Sequence, residues 1–165
     1  MVLNEGNKVV YPSQGPCVVN NIVKKEINGT KMKFYQLVGL GENGAEVLVP
    51  VEKAEAVGLR QLLKKADIPK LIAHIKKPVE TSTNWKQRSQ NNSERITSGS
   101  AFRVARVVRS LTDLSQTKKL SAAEVQTLAR AKALLVSEIA HVMGIKESLA
   151  EARIDKALEA GQTNQ

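Results

Sequence analysis

Apolar and polar positions change their period once along this chain, near residue 58. Before that point apolar residues come in short runs punctuated by turn residues. Val9-Val10-Tyr11 ends at Pro12, and Gln14-Gly15-Pro16 marks a turn. A second run extends from Cys17 to Ile27. Asn28-Gly29 then supplies the two positive-φ residues of a tight hairpin, and Lys31 to Leu40 is the returning strand. Glu42-Asn43-Gly44 predicts a further turn into Glu46 to Val49, which stops at Pro50. Four or five short strands at this spacing predict a small antiparallel barrel of SH3-like or Tudor-like shape. Its core is thin, and its edge strands are open to a partner.

From Gly58 onward the spacing becomes helical. Leu59, Leu62 and Leu63 fit one short turn. Asp67 can cap a second helix with Pro69 in its first turn and Leu71, Ile72 and Ile75 on its inner face, ending at Pro78. Ser82 or Thr83 can cap the next, Asn84 to about Thr97, closed by Gly99. Ser100 caps another whose inner face is Phe102, Val104, Ala105, Val108 and Leu111. Ser121 and Glu124 form a capping box ahead of Val125, Leu128, Leu135, Ile139 and Val142, with Gly144 suited to the C-terminal position. A last helix carries Leu149, Ile154 and Leu158. The expected chain is therefore α+β: a Tudor-like/SH3-like β-barrel over 1–57, a compact all-helical domain over 58–160, and a frayed tail at 161–165.

Composition adds one constraint and charge another. Aromatics are 3% of 165 residues, so the core is aliphatic and the single tryptophan, Trp85, stands out. The net charge is +9, which favours a polyanionic partner through phosphate neutralisation and counterion release. Residues 64–109 hold eleven Lys/Arg against three Asp/Glu, so nearly the whole surplus sits in one segment. A solvated helix face normally interleaves both signs. Arg103, Arg106 and Arg109, three residues apart, are expected on one exposed face opposite Val104, Val108 and Leu111.

Trp85 lies inside this segment. Tryptophan is usually buried, yet its helical neighbours here would be Thr81, Ser82, Arg88 and Ser89, none of them apolar. An exposed ring among Asn84, Lys86, Gln87 and Arg88 suits contact with bases, as a stacking platform or a minor-groove wedge.

Other chemistries find no support. Cys17 is the one cysteine, set in an apolar run as a structural thiol, so no intramolecular disulfide is possible. His74 and His141 stand far apart, and no cluster has metal-ligand spacing. No Gly-rich phosphate loop follows a strand, and no Ser/His/Asp or Cys/His set stands out. The expectation is a non-enzyme without metal or cofactor. Without a signal peptide or an apolar run of ~20 residues it is also expected to be cytoplasmic and free of the membrane.

Several short segments, in order, resemble the CarD (CdnL) family of bacterial transcription regulators over residues 3 to 160. They are Gly6-Asn7-Lys8-Val9-Val10-Tyr11-Pro12 with Gly15, Val49-Pro50, Ala56-Val57-Gly58-Leu59-Arg60, and Asn84-Trp85-Lys86-Gln87-Arg88. Ser98-Gly99, Val107-Val108-Arg109 with Leu111, and Leu120-Ser121 with Glu124 ahead of Ala129-Arg130-Ala131 complete them.

The resemblance implies that the N-terminal domain docks on the RNA polymerase β subunit. It further implies that the helical domain contacts promoter DNA, without sequence readout, at the upstream edge of the melted bubble. There the family's tryptophan wedges into the minor groove and stabilises the open complex. Carried over, the wedge falls on Trp85 and the backbone contact on Arg88, with Lys86 nearby. Lys25 matches a basic polymerase-binding position, and Leu48 stands where some members carry a polymerase-binding arginine. Gln87 and Gln90 stand where some members are basic, which shifts the expected DNA affinity towards Arg103, Arg106 and Arg109 or towards polymerase tethering. The free protein is expected to be monomeric and to reach the nucleoid through polymerase. Two other classes fit the charge: a stand-alone nucleoid or RNA-binding protein, and an adaptor whose basic patch meets an acidic protein.

Overall fold

The alternating first sixty residues form one five-stranded antiparallel sheet in the computed structural model, which describes residues 2–12, 14–41 and 44–163. β1 spans Lys8–Tyr11, β2 Gly15–Ile27, β3 Thr30–Gly39, β4 Glu46–Pro50 and β5 Arg60–Gln61, in the spatial order β4-β3-β2-β1-β5. Asn28 and Gly29 both take positive φ, 51° and 79°, and Ile27 faces Thr30 as the last pair of the predicted hairpin. The turn expected at Glu42-Asn43 lies outside the described residues. Val9, Cys17, Val19, Tyr35, Leu37 and Val49 bury one face of the sheet, with Leu3, Ala54 and Leu59 packed on them. The Tyr35 hydroxyl within this core accepts the Leu3 N–H at 3.1 Å.

The sheet departs from expectation in two places. The predicted barrel is open: β4 and β5 occupy opposite ends of the strand order and do not pair among the described residues. Closure requires the two edges to hydrogen-bond, and β5 has only two residues to offer. Residues 58–63 also do not form a helical turn. Gly58 takes a φ of 88°, Leu59 enters the sheet core, and Arg60 and Gln61 pair with Val10 and Val9. Closely spaced leucines suit a helical stripe and a strand-plus-loop alike, and long-range pairing with β1 decided between them. The irregularity between Val19 and Asn21 turns β2 from buried to exposed, and beyond the reach of β4 its last residues, Lys24 to Ile27, run with Thr30 to Lys33 of β3 as a two-stranded ribbon.

The chain divides into compact units at Met1–Leu62 and Leu63–Gln165. The second holds α1 (Ile68–Lys76), α2 (Trp85–Thr97), α3 (Ala101–Thr117), α4 (Ala122–Met143) and α5 (Glu147–Thr163). α3 is the centre, packing against all four others. Its Val104, Ala105, Val108 and Leu111 join Leu71, Ile75, Leu135, Ile139 and Ile154 in one aliphatic core. Several caps are those the sequence predicts. Ser100 accepts from Arg103 N–H, Ser121 and Glu124 close a capping box, and Gly144 ends α4 in the left-handed conformation at φ 65°. Among the described residues no helix is long and apolar enough to cross a membrane.

Some helical details differ. The cap of α2 is Asn84, whose Oδ1 accepts from Lys86 and Gln87 N–H at 2.9 and 3.3 Å, in place of Ser82 or Thr83. Val125 and Leu149 are exposed although the spacing put them on inner faces. Each lies in a first turn, Val125 on α4 and Leu149 on α5, and neither side chain joins the aliphatic core. The stretch expected to fray from Gly161 is helical to Thr163, and Gly161 is buried. Asn164 and Gln165 lie outside the described residues.

Candidate nucleic-acid interface

Helix α2 is polar on every side, so an apolar stripe cannot explain why it packs. The residues it buries are Arg88, Asn92 and Ile96, at four-residue spacing. Arg88 supplies the anchor. Its Nε donates to Glu124 Oε2 at 3.1 Å, and its Nη1 donates to the carbonyls of Ser82 and Thr83 at 3.2 and 3.0 Å. One guanidinium thereby ties α2 to the first turn of α4 and fixes the loop that precedes Asn84. Burial pushes the Glu124 carboxyl upward. The hydrogen bond from Arg88, with those from Ser121 and the Arg88 charge, outweighs it and holds the group below the usual carboxylate range.

Trp85 begins the helix held this way, and its side chain is 65% exposed. Lys86 places its Nζ 5.7 Å from the ring centroid. Trp85, Ser89, Ser93 and Thr97 repeat every four residues, so the ring stands at the head of a ridge of small hydroxyl side chains. A groove lies on each flank of that ridge. One, of about 870 Å³, runs between α2 and the α3–α4 corner and is lined by Lys118, Lys119 and Leu120. The other, of about 390 Å³, is lined by Lys86, Gln90 and Glu94.

The predicted basic set is only partly at the surface. Trp85, Lys86 and Arg103 are exposed, whereas Arg88 is 5% and Arg109 0% exposed. Arg88 thus turns its guanidinium towards the protein. The exposed face expected of Arg103, Arg106 and Arg109 does not exist. At 3.6 residues per turn, each step of three rotates about 60° around the helix, so Arg109 lands roughly 120° from Arg103. Arg106 donates to the carbonyls of His74 and Pro78. Arg109 pairs with Asp113 at 2.8 Å and reaches Ile75 O at 3.4 Å. These carbonyls close the C-terminal end of α1, where unpaired acceptors and the helix dipole favour a cation. Gly161 leaves room for this, since a Cβ there would lie 1.6 Å from Arg109 Nη1 and 2.8 Å from Lys76 O. His74 is half-buried with its ring edge-on to Phe102. Burial, then the charges of Arg106 and Lys77, push its pKa down.

In the sheet unit, Lys25 pairs with Met32 and Leu48 with Gln36. Met32 and Gln36 are four residues apart on β3, so all four side chains project from one face. It is the face opposite Tyr35 and Leu37, and Lys25 and Leu48 are both exposed on it. Cys17 is buried, and burial raises its thiol pKa against a hydrogen bond with the Tyr11 backbone. Lys118 and Lys119 were not legible as neighbours of Trp85. They are 33 and 34 positions away in sequence and meet the tryptophan helix only through tertiary packing.

Two family models match the chain. The model described as "CarD-like/TRCF RID domain" matches residues 3–63, and that described as "CarD, C-terminal domain" matches residues 70–155. A relative named "Putative transcription factor YdeB", from Bacillus subtilis (strain 168), is 30% identical over 144 residues, covering 86% of this chain and 93% of the relative. A solution structure of the 72-residue N-terminal domain of Myxococcus xanthus CarD is 44% identical. It covers 36% of this chain and 77% of its own, at a TM-score of 0.31.

Proposed function

The chain belongs to the CarD family of transcription regulators, and from that premise we propose that it stabilises the promoter open complex while docked on the RNA polymerase β subunit. Docking falls to the sheet unit, through the exposed face that carries Lys25 and Leu48. Trp85 wedges into the minor groove at the upstream edge of the bubble, Lys86 and Arg103 contact the DNA backbone, and Arg88 with Glu124 positions the tryptophan. The observation that carries this reading is a 65% exposed indole at the head of a helix anchored by a buried guanidinium. A tryptophan displayed at that cost in exposed apolar area, on a rigid support, is built to meet a partner with flat apolar faces.

The energetics suit a tethered wedge. A DNA module with few free cations binds weakly alone, and docking of the sheet unit raises its effective concentration to the millimolar scale. A ligand shifts the closed–open equilibrium only by its differential affinity for the two states. An indole inserted at a melted edge has partners there that a closed duplex withholds. One stacking contact of about 1–3 kcal/mol corresponds to a five- to 150-fold change in open-complex lifetime. Trp85→Ala is expected to shorten that lifetime within this range, while thermal stability and polymerase binding stay as in the wild type. Equal lifetimes for the two proteins on one promoter would sink the proposal.

A further inference from the structure

The groove between α2 and the α3–α4 corner has a chemistry the wedge does not use. It is lined from Trp85 to Thr97, so it extends along the whole of α2, about 18 Å at 1.5 Å per residue. Its volume, about 870 Å³, lies within the range of clefts that enclose small organic ligands. Ile96 and Leu120 give it an apolar floor, Trp85 contributes an aromatic ring, and the ridge hydroxyls supply hydrogen-bonding groups. Lys118 and Lys119 border it, are exposed, and make no ion pair among the described residues.

An occupant matching this lining has a flat apolar face, polar edges and an attached anion. A nucleotide has all three. A base still paired in a duplex cannot enter, because its partner would have to follow. We infer that this groove holds an unpaired stretch of nucleic-acid strand, one or two nucleotides long, with its phosphates on Lys118 and Lys119. The inference rests on the proposed role of Trp85 and deepens it. The ring separates the strands, and the groove behind it retains one of them, so the open state is captured as well as propped apart.

The test uses the full chain and fluorescently labelled DNA of two kinds with equal phosphate number, a fully paired duplex and a fork with a two-nucleotide unpaired flap. Anisotropy titration of the wild type is expected to show about tenfold tighter binding to the fork. The double variant Lys118→Ala/Lys119→Ala and the groove-filling variant Ala123→Phe, at an exposed position of the groove wall, are each expected to bring that preference near unity. Duplex binding should change by no more than about twofold, and thermal melts of both variants should match the wild type. A fork preference that survives in both variants overturns the groove while leaving the wedge intact. Indifference of Trp85→Ala to both DNAs overturns the wedge itself. Displacement of the fork by millimolar AMP would reassign the groove to free nucleotides, and displacement by polyglutamate as readily as by unlabelled fork would reassign it to an acidic protein; either result overturns the inference.

Discussion

Helices α2 and α3 carry all the arginine in the basic segment and place it in different surroundings. α2 has almost no apolar surface, anchors itself with one buried guanidinium and leaves its largest side chain in solvent. α3 buries an aliphatic stripe, and two of its arginines turn inward to meet the end of α1, with Arg103 alone left outside. The difference shows that charge counted along a sequence is not charge at a surface. Residues 64–109 hold eleven cations, but Arg88 and Arg109 are spent on carbonyls and carboxylates of the protein. What α2 gains from its polar anchor is a precise presentation of Trp85; what α3 gains is a sealed helix junction.

The sharpest way to break this comparison is at Arg109. Removing Arg109 leaves Asp113, whose side chain is 22% exposed, without its partner, which places the loss at the lower end of the buried-pair range, about 3 kcal/mol. Arg109→Ala is therefore expected to lower unfolding free energy by that amount in urea titration, which a surface cation could not do. Gly161→Ala should destabilise too, by about 1–3 kcal/mol, because its methyl group meets the guanidinium. In an Arg109→Ala background the same Gly161→Ala change should cost less, since the guanidinium clash is gone and only the close approach to Lys76 O remains. Additive losses in that cycle would show that the junction is not built around Arg109.

The α2 anchor should yield a smaller loss with a pH signature. A charge-assisted hydrogen bond of this kind is worth about 1.5–3 kcal/mol, and Glu124→Gln should cost near the lower end because Glu124 is 18% exposed. The Glu124 carboxyl is depressed in the folded protein below its ordinary value of 4.5. Its contribution is therefore fully present above pH 4.5 and is lost as pH falls through the lower folded value. Wild type and Glu124→Gln should differ most near neutrality and converge in acid. A stability gap constant from pH 7 to pH 3 would rule out the ion pair as the anchor. Open-complex lifetime should also fall in Glu124→Gln, though less than in Trp85→Ala, since the ring remains but its mounting is loosened.

The same contrast marks what was readable in the sequence. Local chemistry was legible where one residue type satisfies one backbone need: Asn28-Gly29 at the hairpin, Ser100 and Ser121 at helix starts, Gly144 at a helix end. The exposure of Trp85 was legible too, because it follows from polar neighbours within one turn. The burial of Arg88 was not legible because its partner Glu124 is 36 residues away, and only the fold brings them together. Its spacing to Asn92 and Ile96, four and eight residues on, was the available signal of an inward face. The arginines of α3 failed through arithmetic on the helix, in which a period of three drifts from exposed to buried. Barrel closure and the Leu59 turn failed because strand pairing is long-range, and β5 carries no local strand signal in two residues.

Arg103 sharpens the comparison at its smallest scale. It is the one arginine of the three on α3 that remains exposed, and its backbone N–H, not its guanidinium, serves the Ser100 cap. Arg103→Ala should leave stability within about 0.5 kcal/mol of wild type. If it meets a phosphate, DNA binding should weaken uniformly across sequences, and the slope of log affinity against log salt should fall by about one. Arg109→Lys, which keeps the charge but not the forked geometry, should show the reverse: a loss of stability with an unchanged salt slope in the fraction that folds. An Arg103 variant with an unaltered salt slope would leave Lys86 as the backbone contact beside Trp85, and the positive surface of the helical unit would then be narrower than even the structure suggests.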